Sequence, residues 1–235
     1  MRKSFSKASG RNDAWFAAAC IVGLAGLGLC SEAKAQDVSA NVAVTSDYVF
    51  RGVSQTQENP ALSAGVDLTK SGFYAGAWAS NVDFGDDTDA EVDIYGGYRG
   101  EAGGVAFDVG VVGYGYINAP SGADYGYVEF KGAVSRAIGP ATIGAAIYWS
   151  PDFFGIDEEA TYVEANIAFV PAPQWTVSGA IGHQALDVND DYVTWHAGVA
   201  YAFNDNVAID LRYHDSDVDG PLSDDRAVAA LKFFF

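Results

Sequence analysis

Past residue 35 the chain has no cysteine: both, Cys20 and Cys30, fall before that point. With the first 35 residues removed, neither a disulfide framework nor a cysteine-ligated metal is possible. Bases are scarce too. Five of the 13 Lys and Arg and two of the 31 Asp and Glu lie in residues 1–35, which leaves 8 against 29, a net charge of −21 on 200 residues. Such a charge argues against nucleic acid as a partner. Disorder, the usual alternative for an acidic chain, is excluded by 49% hydrophobic and 14% aromatic content. No apolar run after residue 35 reaches the ~18 residues of a spanning helix. Any crossing of a membrane would have to be made by strands.

What is present begins with a leader. Arg2, Lys3, Lys7 and Arg11 precede a largely apolar run over 14–30, followed by Ala33, Lys34 and Ala35. That order is a secretory signal peptide, cleaved before Gln36. The bulky Leu29 weakens a lipoprotein reading through Cys30. Residues 36–235 then suit a single domain.

The rest alternates with a period of two, the mark of strands with two unlike faces. Segments are expected over 38–50, 61–69, 72–82, 91–99, 105–117, 125–136, 142–149, 162–169, 175–184, 193–203, 207–214 and 227–235. In 193–203, Val193, Trp195, Ala197, Val199, Tyr201 and Phe203 share a face opposite Thr194, His196 and Gly198. The last stretch, AVAALKFFF, ends on Phe235 with no tail, and its partner should be the first segment. The facing of 72–82 is open, with Phe73 and alanines opposite Tyr74 and Trp78.

Connections sort into two sets. One is short (70–71, 100–104, 137–141, 171–173, 204–206), and the other is longer and acidic (51–60, 83–90, 118–124, 150–160, 185–192, 215–225). Short turns at one end, long loops at the other and an even strand count describe an all-β, transmembrane, antiparallel up-and-down β-barrel of about 12 strands. Lipid demands that every backbone group be paired, so such a sheet must close. Apolar-face aromatics near segment ends predict two girdles: Tyr48, Phe50, Trp149 and Trp195 toward the long loops, and Tyr98, Phe107, Phe169, Trp175 and Phe203 toward the short turns.

The runs SDYVFRGVSQT at 46–56, NPAL at 59–62, SGFYAGAWASNVDF at 71–84 and EVDIYGGY at 91–98 resemble the TorF-type porins, a proteobacterial family long carried as conserved hypothetical. The match is specific over about 38–100 and generic beyond. The resemblance implies an outer-membrane barrel of a Gram-negative bacterium and suggests solute passage. It supplies no catalytic residues.

If the apolar face meets lipid, the inward face carries Asp47, Asp67, Glu91, Asp93, Asp108, Glu129, Glu164 and Asp210, with Arg51, Arg99, Lys131, Arg212, Arg226 and Lys232. Carboxylate rings favour cations in a pore. A small, weakly cation-selective conductance for small solutes or ions follows. The alternative is a structural or surface-binding barrel whose charges pair across strands and fill the lumen. Asp47 and Arg51 share a strand face but sit ~13 Å apart, so each needs a partner elsewhere. Outer-membrane lipid, lipopolysaccharide and, through the last strand, the barrel-assembly machinery are the expected partners.

Asp215, Asp217, Asp219 and Gly220 begin like a calcium loop, but position twelve is Arg226 where a bidentate Glu is needed. A solvated acidic loop is the plainer account, a weakly bound calcium the sharper one, and no other cofactor is expected. Catalysis would need a Ser–His pair on the outer wall. His196 and His214 have inward parity, His183 outward, Ser150 and Ser178 inward, and no G-x-S-x-G elbow exists. No enzyme is expected.

Overall fold

The computed structural model describes residues 37–155, 158–187 and 189–235. The signal-peptide expectation lies outside them. The strands are β1 (Asp37–Thr45), β2 (Val49–Phe50), β3 (Val53–Ser54), β4 (Ala61–Lys70), β5 (Phe73–Asn81), β6 (Ala90–Ala102) and β7 (Val105–Ile117). They continue with β8 (Tyr127–Ile138), β9 (Ala141–Ser150), β10 (Ala160–Ala172), β11 (Trp175–Leu186), β12 (Tyr192–Asn204), β13 (Val207–Ser216) and β14 (Arg226–Phe234). Twelve of them form one closed antiparallel barrel in sequence order, with β1 sealing against β14; β2 and β3 form a separate hairpin.

Period-two alternation is why these segments form a barrel wall. Along β6, Asp93 is 7% exposed and its neighbour Ile94 70%. The inversion runs round the ring: Val109, Phe130, Ile147, Ile167, Ile181 and Leu211 face out, while Asp108, Glu129, Tyr148 and Asp210 are buried inside. Only an apolar solvent makes that arrangement favourable, because ~25 cal/mol per Å² would otherwise be lost on every outward side chain. In β5 the open question resolves: Tyr74 and Trp78 point inward and Phe73 outward.

All five short connections (71–72, 103–104, 139–140, 173–174 and 205–206) hold two residues, and the long loops gather at the opposite end. Outward aromatics mark both rims. Phe130 stacks on Trp149 and Trp195 lies against Tyr213 near the long loops, while Phe73 meets Tyr98 and Trp175 meets Tyr201 near the short turns. Gly97 and Gly110, opposed in register, leave a slot for an inward tyrosine: a Cβ there would lie 2.6 and 2.5 Å from Tyr74 Oη.

The seam joins β1 to β14 from Asn41↔Phe234 to Thr45↔Ala230, and Phe235 exchanges backbone hydrogen bonds with Ala40 at 2.9 and 3.2 Å. The expected pairing of first and last segments is therefore present. The first segment is shorter than expected, however: the wall strand stops at Thr45, not at residue 50. Residues 46–60 leave the wall and turn into the lumen. Tyr48 and Phe50 are accordingly no part of the girdle, and Tyr48 is buried against Ala61, Trp78 and Val82. Asp47 and Arg51 belong to this inserted segment rather than to a wall strand. Alternation alone cannot separate a strand that continues from one that bends away and resumes.

Candidate functional site in the barrel lumen

The inserted segment is built on a two-residue hairpin. Val49 pairs with Ser54 and Phe50 with Val53, leaving Arg51 and Gly52 at the tip with φ of 46° and 86°. Two positive φ values make the type I′ turn, whose twist suits adjoining strands. Glycine is required at the second position. A Cβ on Gly52 would also lie 2.7 Å from Thr194 Oγ1 and 2.9 Å from Ser216 Cβ, so the tip rests directly on β12 and β13. Arginine at the first position is strained, by about 1–3 kcal/mol, and other contacts must hold it.

Those contacts cross the lumen. Arg51 Nη1 lies 2.8 Å from Glu129 Oε1, Nη2 donates to Glu129 Oε2 at 2.8 Å, and Nη1 donates to Gln184 Oε1 at 2.9 Å. Glu129 on β8 and Gln184 on β11 stand five strands from β1 one way round the ring and four the other. The guanidinium is also flanked by the rings of Tyr162, Phe50 and Tyr148, at 4.3, 4.7 and 5.2 Å from their centroids. A bidentate, desolvated pair of this kind is among the strongest side-chain contacts.

The base of the segment is fixed separately. Asp47 Oδ1 accepts from Ser54 Oγ at 2.7 Å and Thr56 Oγ1 at 2.9 Å, and Asp47 Oδ2 accepts from Arg226 Nη1 on β14 at 3.0 Å. Asp47 and Arg51 thus each find a partner on a different strand, as their spacing required.

The remaining inward charges fall into groups. Asp108 receives Lys131 Nζ at 2.8 Å and Arg99 Nε at 3.1 Å. Asp210 is paired with Arg212 at 3.2 Å and Lys232 at 3.5 Å. β7 and β13 are six strands apart in the ring of twelve, so these groups stand on opposite walls, three residues above their short turns. Asp67, Glu91 and Glu164 have no ion-pair partner among the described residues but accept from Tyr95, Tyr48 and Tyr162 hydroxyls at 2.8, 2.8 and 3.2 Å. Tyr74 and Tyr114 do the same for Asp108 and Glu129, at 2.8 and 3.0 Å. Asp93 Oδ1 and the opposed Trp78 Nε1 are buried without a partner among the described residues.

These tyrosines were missed as site residues from the sequence, although several sat on its polar parity, where an aromatic needs a reason. Tyr114 and Tyr127 oppose each other in register and stack at 4.2 Å, extending an aromatic group that includes Phe153 and Phe154. Between the hairpin tip and β10–β13 a cavity of about 30 Å³ remains.

The acidic motif of the last long loop is differently arranged. Asp217 Oδ1 accepts from Val193 N at 2.6 Å and Asp215 Oδ1 from Ser216 N at 2.9 Å. Asp219 is exposed, and among the described residues no group of three His, Cys, Asp or Glu is placed to hold a metal. The serines and histidines form no direct hydrogen-bonded pair among the described residues. Ser150 donates to Asp152 O, Ser178 accepts from Arg212, and His183 faces Asp191 at 3.7 Å on the outer rim.

Residues 31–232 match the Gcw_chp family, described as bacterial protein of unknown function. The chain belongs to that family. No curated protein matches the sequence. Among solved structures the KdgM porin is 7% identical with a TM-score of 0.58, over 84% of this chain and 98% of that one. The same porin in complex with disordered oligogalacturonate gives 6% and 0.56, over 86% and 99%. An outer-membrane channel from Pseudomonas putida F1 gives 8% and 0.53, over 87% and 96%. A further porin is spanned over 62% of its length by 74% of this chain, at 16% identity and a TM-score of 0.43. At such identities the shared property is the fold, that of outer-membrane barrels.

Proposed function

We propose that the chain is an outer-membrane channel of porin type that passes small hydrophilic solutes or ions, with a weak preference for cations and with segment 46–60 as its constriction. The observation that carries this is the pairing of an apolar outer belt with a charged interior into which one loop is folded. A barrel whose only task was to sit in lipid has no need of fourteen inward or lumenal charges. The TorF-type resemblance over 46–98 and the barrel fold support it.

The cation preference rests on where the charges lie. By strand position the long-loop half holds Asp47, Glu91, Asp93, Glu129 and Glu164 against Arg51, Lys131, Arg212 and Arg226, below loops that are themselves acidic. The short-turn half holds Asp67, Asp108 and Asp210 against Arg99 and Lys232, so each half carries one more acid than base. An anionic chain such as the oligogalacturonate bound to the KdgM porin would meet repulsion at this mouth. Acidic loops suit contact with lipopolysaccharide through divalent cations, and a terminal Phe235 suits recognition by the barrel-assembly machinery.

Refolded protein in planar bilayers under a KCl gradient tests the proposal. Small steps with a reversal potential displaced toward that of K⁺ are expected; absence of steps, or anion preference, overturns it. One observation favours a second function: Arg51 and its ring of tyrosines fill the waist. A structural barrel closed by that segment would show no liposome swelling as the intact chain and would swell only after segment 46–60 is deleted.

A further inference from the structure

The cavity beneath the hairpin tip has an unusual wall. His214 is 6% exposed, lines this space, and neither of its ring nitrogens has a hydrogen-bond partner among the described residues. Among the described residues its ring contact is with His196, opposed to it in register, at 5.4 Å between centroids. The ring nitrogens are not among the fully buried polar atoms, so they reach the cavity and can bond what enters it.

The unused capacity of the neighbours defines that occupant. Arg212 Nη1 lies 2.8 Å from His196 Nδ1; a guanidinium can only donate, so Nδ1 is the acceptor and Nε2–H remains a free donor. A transition metal is disfavoured on two counts: one imidazole presents N–H rather than a lone pair, and a fixed cation stands beside it. His214 offers one donor and one acceptor. Glu164 accepts one bond on each oxygen, from Asn166 at 3.0 Å and Tyr162 at 3.2 Å, and keeps lone pairs free. Thr194 Oγ1 donates to Asp215 O at 3.1 Å and can still accept. The Arg51 guanidinium, which also lines the space, is engaged by Glu129 and Gln184, so among the remaining groups donors and acceptors are matched, which fits hydroxyl groups, each of which gives and takes one bond. A phosphate or carboxylate would leave the acceptors of Glu164 and Thr194 opposed to its own oxygens.

Size and walls agree. About 30 Å³ is room for roughly two water-sized centres, the span of one C–O–H unit. Phe50 and Tyr162 also line it and add apolar wall for C–H groups. We propose that this cavity is a subsite for the terminal hydroxymethyl group of a small neutral polyol or sugar, held by His196, His214, Glu164 and Thr194. It deepens the channel proposal by naming the class of solute, and rests on it.

The test is equilibrium binding to the folded, detergent-solubilised barrel, which does not depend on conduction. Glucose, sorbitol and 6-deoxyglucose are titrated by calorimetry, with the histidine ring nitrogens followed by NMR. Saturable binding of glucose or sorbitol is expected, with His214 ring resonances shifting. The 6-deoxy sugar, His214→Phe and Glu164→Gln should each weaken it at least tenfold while heat-modifiable gel migration is retained. If His214→Phe does not fold, Glu164→Gln and the 6-deoxy sugar decide. No saturable binding by the folded wild type, equal affinity for the 6-deoxy sugar, or tighter binding of inorganic phosphate overturns the subsite. A barrel that conducts but does not bind loses the subsite alone; one that binds but never conducts loses the channel.

Discussion

Replacing Arg51 with alanine is expected to free the hairpin while leaving the barrel intact. The substitution removes both contacts to Glu129, at 2.8 Å each, and the bond to Gln184. It also strands Glu129, which is 1% exposed, with only the Tyr114 hydroxyl beside it among the described residues. Breaking a buried ion pair by deleting one partner costs about 3–5 kcal/mol. At about 1.4 kcal/mol per tenfold, the ratio of docked to undocked hairpin falls by roughly two to three and a half orders of magnitude. Little of that cost reaches the wall, since β2 and β3 pair only with each other. Single-channel recording should therefore show a large rise in open probability with unchanged heat-modifiable migration. Adding Glu129→Gln removes the stranded charge and should restore part of the docking. An Arg51→Ala channel with wild-type open probability, or no response to the second substitution, would refute the clamp.

Val111→Arg places a charge on the outward face at the middle of β7 and should destabilise the barrel by about 2–4 kcal/mol in urea titrations in lipid vesicles; a shift under 1 kcal/mol would contradict a lipid-facing position. Removing Phe235 deletes both backbone bonds to Ala40 and is expected to lower the amount of barrel inserted in the outer membrane, read by fractionation, with unchanged conductance in the fraction that inserts. In the long loops, hydrogen bonds from Thr88 hold the Asp86 carboxyl below its ordinary value, and the bond to Asp86 holds the Tyr125 phenol above its own. The Asp86 contribution is present above the ordinary carboxylate range and lost as pH falls through its depressed value. That of Tyr125 is present below about pH 10 and lost as pH rises through its elevated one. Absorbance titration of the phenol against Asp86→Asn should show Tyr125 ionising at lower pH in the variant.

Much of the wall was legible in the sequence because lipid enforces one simple rule, apolar out and polar in, on every strand. The end rules are equally local: two-residue turns at one rim and acidic loops at the other. Residues 46–60 escaped because the lumen obeys a different rule. There Val49 and Phe50 are covered by the protein itself, so their apolar character, which on the wall signals lipid, signals packing. Arg51 was recognised as needing a distant partner, but nothing in its neighbourhood points to Glu129, 78 residues on. The tyrosine partners of the carboxylates were visible only as aromatics on the wrong parity. In β5, alanines on the outward face and two large inward rings gave no net signal, and only the register with β6 decides the facing.

The bond between Asp47 and Arg226 joins residues 179 positions apart in the chain and bridges the seam. Arg226 opens the last strand, so the base of the inserted segment gains its anchor only after the final strand has arrived. An unfinished barrel therefore holds its inserted segment without this anchor, by the Arg51 clamp to Glu129 and Gln184, while its edges still seek partners. The same contact that narrows the finished lumen thereby acts as a completion signal: it links the sealing of the interior to the closing of the ring, and a chain truncated before Arg226 lacks the anchor for both.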